Sequence, residues 1–164
     1  MARLELSLFG GFAVRLDGRP VTRFKSDKTR ALLAYLAVEA GRPHRREQLA
    51  TLLWPERPEA AARANLSQAL YNLRCSLGER GRSRGPRWTG SLPAPGDAAP
   101  VSSFMVTADA VQFDPAADHQ VDVTHFASLL QSSLDHAHEP GDECDACLQR
   151  LGEAVSLYGG PFLQ

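Results

Sequence analysis

The chain has 164 residues, enough for one domain or for one small domain with part of another, and its 43% apolar and 23% charged content fits a globular protein. No apolar run approaches the roughly 18–20 residues that a membrane-spanning helix needs. The alternating start MARLELSLFGGF is not a secretory leader, and three cysteines do not make a disulfide framework, so the expected setting is the cytoplasm. The net charge of −1 hides a division. Residues 1–90 carry 17 Lys and Arg against 8 Asp and Glu, whereas residues 91–164 carry one Arg against 11 acidic residues. A basic half suits a polyanion, nucleic acid being the commonest.

The first elements read as a small antiparallel sheet. LELSLF (4–9) alternates apolar and polar, FAVRL (12–16) follows a Gly-Gly bend, and Asp17-Gly18 is a hairpin signal that returns the chain through RPVTRF (19–24). Ser26 then offers an N-cap to a helix over 27–41, with Leu32, Leu33, Leu36 and Val38 on one side and Gly41 as its stop. RREQLATLLW (45–54) is a shorter helix carrying Leu49, Leu52, Leu53 and Trp54. After the connector PERPE, in which Pro58 opens the next helix, residues 60–78 form a third one. A short helix, a tight link and a longer helix make a helix-turn-helix pattern. Residues 79–103 are rich in Gly, Pro, Ser and Arg without periodicity and read as a flexible loop. FMVTADAVQFDP (104–115) returns to strand pattern, a hairpin placed where the wing of a winged helix belongs. From Asp122 the chain turns acidic and helical. Val123, Phe126, Leu129, Leu130 and Leu134 mark one helix over 122–137. Leu148, Leu151, Ala154, Val155 and Tyr158 mark a second in 144–163. A lone helical hairpin does not bury both its faces, so a larger helical array is expected beyond Gln164.

The third helix carries the chemistry. Leu66, Leu70, Leu73 and Leu77 recur at helical spacing and commit one face to a core. The opposite side presents Asn65, Gln68, Asn72 and Cys75, with Ala61 and Ala64 toward its start and Tyr71 on a flank. An ordinary solvent face is rich in Glu and Lys, and this one is not. Asn and Gln bond adenine in the major groove in a bidentate way, and a small Ala permits close approach or contacts a thymine methyl. Ala64, Asn65, Gln68, Tyr71 and Asn72 are therefore the expected base-reading set. Arg45, Arg46, Arg63, Arg74 and Arg80 are the expected phosphate contacts, which give affinity and register without sequence information. Arg23, Lys25 and Lys28 suit either backbone contact or a solvated cluster, and Arg82, Arg84 and Arg87 suit phosphate contact from the loop. The competing reading of the amide face is packing against another protein.

Four stretches, LSLFGGFAVRLDGRPV (6–21), KTRALLAYLAVEAGRPHRREQLATLLWPE (28–56), ARANLSQALYNLRCSLG (62–78) and VDVTHFASLL (121–130) with AVSLYGGPFL (154–163), resemble SARP-type, AfsR-like antibiotic regulatory proteins. The resemblance implies an α+β fold. An OmpR/PhoB-type winged helix-turn-helix over 1–116 would have an N-terminal antiparallel sheet, three helices and a C-terminal β-hairpin wing. Over 117–164 would follow the first, tetratricopeptide-like helical hairpin of a bacterial transcriptional activation domain. It further implies a transcriptional activator that binds double-stranded DNA, as a homodimer or in tandem on direct repeats, while the helical part contacts RNA polymerase or a sigma factor. The alternative of another class is a protein-interaction adaptor whose winged helix does not bind DNA.

No cofactor, membrane or catalytic role is expected. The chain has no Gly-rich phosphate loop ending in Lys-Ser/Thr, no G-x-S-x-G and no H-E-x-x-H. HAHEPGDECDAC (136–147) groups His136, His138, Cys144 and Cys147, a donor set that tetrahedral zinc accepts. Against it, a C-x-x-C on a helix also reads as two small core residues, and the balance falls on that side.

Overall fold

A computed structural model of the chain describes residues 3–78, 103–114, 116–137 and 144–163. Strands β1 (Leu4–Ser7), β2 (Ala13–Leu16) and β3 (Arg19–Pro20) form the expected antiparallel set, with Leu4 opposite Leu16 and Leu6 opposite Val14. Period-2 alternation places Leu4, Leu6 and Val14 in the core and leaves Ser7 exposed. Asp17 and Gly18 have φ of 50° and 73°, the two left-handed residues that a type I′ turn requires.

Helix α1 (Asp27–Val38) starts where Ser26 Oγ accepts the Thr29 N–H at 3.3 Å, and buries Leu32, Leu33 and Leu36. Val38, expected inside, is exposed because at about 100° per residue it lies about 200° round the helix from Leu36, outside the arc that α1 turns to the core. Strand β4 (His44–Arg45) and helices α2 (Arg46–Leu53) and α3 (Glu59–Ser76) follow. Arg45, expected to open α2, is its N-cap and also pairs with Ala110 in a ladder, and Pro58 is the N-cap of α3 rather than its first residue. Leu52, counted with the apolar side of α2, is 56% exposed. Leu66, Leu70, Leu73 and Leu77 are all buried, and α3 seats them against α1 and α2. Ala62 and Ala69 complete that face, their small side chains allowing close helix approach.

The expected hairpin after α3 is present as β5 (Phe104–Val106) and β6 (Ala110–Phe113), which join β4 in a three-stranded sheet of order β4-β6-β5. Thr107 closes its turn by accepting the Ala110 N–H at 3.0 Å, and the buried rings of Phe104 and Phe113 meet edge to face at 5.2 Å.

One strand has no counterpart in the sequence reading. β7 (His119–Val121) lies parallel to β1 and extends the first sheet to β3-β2-β1-β7. Its three residues offer one apolar side chain, Val121, too little for a period to be read. It also lies beyond residue 116, so the first sheet draws a strand from the far side of the expected domain boundary.

Helices α4 (Asp122–Leu134) and α5 (Asp145–Leu157) pack on each other. The expected stripes are covered only in part: Val123, Phe126, Leu129 and Leu130 are half-buried and Ala154 is buried. α4 buries no residue completely, and in α5 only Cys147 and Ala154 are buried, while Leu134, Leu148, Leu151, Val155 and Tyr158 are exposed. The hairpin is fastened to the first sheet at Asp122. Its carboxylate accepts the Leu8 N–H at 2.8 and 2.9 Å, the Phe9 N–H at 3.0 Å and its neighbour Val123 N–H at 2.8 Å. Phe9 lies edge-on to Phe126 at 5.4 Å and to Tyr158 at 5.3 Å. The segment after α5 runs back over the same loop, where Gly10 N–H donates to the Pro161 carbonyl and Leu163 N–H to that of Leu8. Gly10 has φ +73°, and a Cβ there would stand 2.5 Å from the Gly159 oxygen, so this close crossing needs glycine.

Candidate nucleic-acid interface

The face of α3 opposite its leucines is open. Ala64 and Gln68 are exposed, Tyr71 is 55% exposed, and Asn65 and Asn72 are half-buried. Gln68 Nε2 donates to Asn72 Oδ1 at 3.1 Å, so two of the expected base-reading amides lie side by side one helical turn apart. This pairing fixes their orientation and still leaves donors on both NH2 groups and the second lone pair of the Asn72 carbonyl. After Glu59, α3 contains no acidic residue, so no carboxylate of that helix repels an anion approaching this face. Cys75, placed on the open side by the helical wheel, is half-buried.

The arginines divide into distinct tasks. Arg46 Nη2 donates to Ser67 Oγ at 2.7 Å, and Ser67 in turn donates to the Arg63 carbonyl at 3.0 Å. Arg46 is thereby held beside the middle of α3, and its backbone N–H is tied to the Asp109 carbonyl at the tip of the β5–β6 turn. Arg63 is exposed and has Glu47 at 3.3 Å and Glu59 at 3.6 Å. Arg45 is exposed on β4. Arg74, expected on phosphate, turns its Nη2 to the Phe104 carbonyl at 3.4 Å and ties α3 to β5. At the far end of α3, Ser76 Oγ donates to the Arg23 carbonyl at 2.6 Å, which brings the Arg23–Lys25 segment, including both exposed cations, beside the helix C-terminus. Arg80, Arg82, Arg84 and Arg87 lie outside the described residues, as does His138.

Sequence reading missed the coupling of Arg46 to α3 through Ser67. The only trace of it in the chain is Ser67 four residues after Arg63, one helical turn on the flank of the leucine stripe. The contact of Arg74 with β5 was not legible either, because helical position alone does not reveal a carbonyl offered by a strand 30 residues away.

Among the described residues no helix is long and apolar enough to cross a membrane. No family model matches the sequence. Over 79 residues the chain is 39% identical to the transcriptional regulatory protein EmbR of Mycobacterium bovis, and equally so to that of two strains of Mycobacterium tuberculosis. The match takes in 48% of this chain and 20% of each relative, so the chain spans about a fifth of the length of the curated relatives it matches. Among solved structures it is similar to Mycobacterium tuberculosis EmbR in complex with a low-affinity phosphopeptide, with a TM-score of 0.66 and 24% identity over 99% of this chain and 38% of that one. The mixed arrangement of sheets and five helices described here is thus the fold of that part of the EmbR structure.

Proposed function

We propose that the chain is the DNA-binding part of a SARP-type transcriptional regulator, built as a winged helix-turn-helix with β5–β6 as the wing and α3 as the reading helix. The observation that carries this reading is the open amide face of α3, with Gln68 and Asn72 side by side and no carboxylate after Glu59. The identity shared with EmbR, whose name is that of a transcriptional regulator, supports it. The basic character of residues 1–90 supports it as well. In this reading Ala64, Asn65, Gln68, Tyr71 and Asn72 meet base edges in the major groove, where each good bidentate pair discriminates by about 1–3 kcal/mol. Arg45, Arg46 and Arg63 meet the phosphates, and Arg74 positions the wing. The acidic helical hairpin is the start of an activation domain that faces RNA polymerase or a sigma factor, and the protein acts on direct repeats as a pair.

Selection of bound sequences from random duplex DNA, followed by binding at several salt concentrations, tests it. The expected result is a recovered motif whose affinity falls steeply as salt rises. Gln68→Ala and Asn72→Ala each lose about ten-fold or more for that motif and little for random DNA. A flat salt dependence, or no enriched motif together with unchanged binding in both variants, overturns the reading and leaves a protein-interaction module.

A further inference from the structure

At the end where α4 hands over to α5, three soft donors converge. His136 follows the last turn of α4, Cys144 is the N-cap of α5, and Cys147 lies in its first turn. His136 Nδ1 is 3.2 Å from Cys147 Sγ and 3.3 Å from Cys144 Sγ, and the three donor atoms all lie within 4.8 Å of one another. Both thiols are free. A neutral imidazole has a single in-plane lone pair on its unprotonated nitrogen and accepts one S–H, while the Cys147 thiol has a second acceptor in the Ser133 carbonyl of α4 at 3.8 Å, a contact that metal binding gives up. A cation takes the nitrogen lone pair and both sulfurs at once.

The spacing suits that cation. With bonds of about 2.3 Å to sulfur and about 2.0 Å to nitrogen, a tetrahedral zinc ion holds nitrogen about 3.5 Å from each sulfur. The observed separations fall a few tenths of an ångström short, within reach of small side-chain rotations. Two thiolates and an imidazole select zinc over magnesium or calcium, which prefer oxygen. The two helices are tied beside the cluster, where Arg150 of α5 donates to the Ser132 carbonyl of α4 at 3.2 Å.

We propose that His136, Cys144 and Cys147 form a zinc site with water in the fourth position, joining the end of α4 to the start of α5. On binding, the two thiol protons pass to solvent and three lone pairs enter the metal's shell, with no change of oxidation state. The proposal is independent of DNA binding by α3.

The test is titration of the reduced, metal-stripped 164-residue chain with cobalt(II), then with zinc. One cobalt per chain is expected, with the visible bands of a four-coordinate ion and near-ultraviolet thiolate charge transfer, both erased by zinc. Zinc also raises the melting temperature. Cys75→Ser, outside the cluster, binds as the wild type does, whereas His136→Ala and Cys147→Ser weaken binding by about 100-fold or more. Absence of the bands in wild-type protein of native helicity overturns the proposal. So does cobalt binding that survives both ligand substitutions, or a Cys144–Cys147 disulfide that persists under reductant and excludes metal. Should the ligand variants not fold, the stoichiometry and charge-transfer bands of the wild type decide the matter alone.

Discussion

The three-helix unit and the helical hairpin hold together in different ways. In the first, α1, α2 and α3 bury leucines completely, and both sheets contribute to one continuous core. In the second, α4 buries nothing completely and α5 buries only a cysteine and an alanine. A helix with a deep apolar face is held by area, since each fully buried leucine is worth about 1.5–3 kcal/mol. A helix without one is held by a few directed contacts, here the Asp122 carboxylate, the Phe9 ring and the returning segment at 159–163. The two regions should therefore answer differently to single substitutions.

Leu73→Ala, in the fully buried stripe of α3, should cost about 2–5 kcal/mol, read as a drop in the denaturation midpoint of the three-helix unit. A cost below 1 kcal/mol would mean that this core is not what holds the unit. Asp122→Ala strips acceptors from the Leu8 and Phe9 N–H groups and should cost about 1–3 kcal/mol. Its signature is local: hydrogen exchange speeds up in α4, α5 and residues 8–10, while protection in α1 and α3 is kept. Equal loss of protection in both regions would erase the contrast. Arg63→Ala removes only exposed ion pairs with Glu47 and Glu59 and should change stability by about 0–1 kcal/mol, even though the proposed function has it weaken DNA binding. The smallest effect is kinetic. The Cys147 backbone N–H holds the Cys144 thiol below its ordinary pKa, whereas burial pushes the Cys147 thiol above it. In metal-free protein at mildly alkaline pH more of Cys144 is thiolate, so Cys144 should alkylate several-fold faster than Cys147, as peptide mass spectrometry would show.

The same contrast governs what could be read from the chain. Where a local signal and the core agreed, as at Ser26, Asp17-Gly18 and the Leu66–Leu77 stripe, residue patterns placed the elements within a few positions. The apolar stripes of α4 and α5 were legible as helices but not as interfaces, because periodicity reports that a face is apolar and says nothing about what stands opposite. β7 escaped because three residues cannot display a period, and its partner β1 lies at the other end of the chain. On the open face of α3 the residue types were legible. The pairing of Gln68 with Asn72 and the bridge from Arg46 through Ser67 depend on side-chain directions that only the packed helices set.

The Asp122 clamp also has a bearing on how the molecule is made. Asp122 and Leu8 are 114 residues apart. β1 thus has no parallel neighbour until more than a hundred further residues have been synthesised. At about 5–20 residues per second that interval is on the order of ten seconds. During it, α1, α2 and α3 can already assemble from contacts of short sequence separation, while the amino-terminal strand presents an unfilled edge. Nascent chains stalled before β7 should accordingly protect α3 but leave β1 open to exchange and to capture by chaperones.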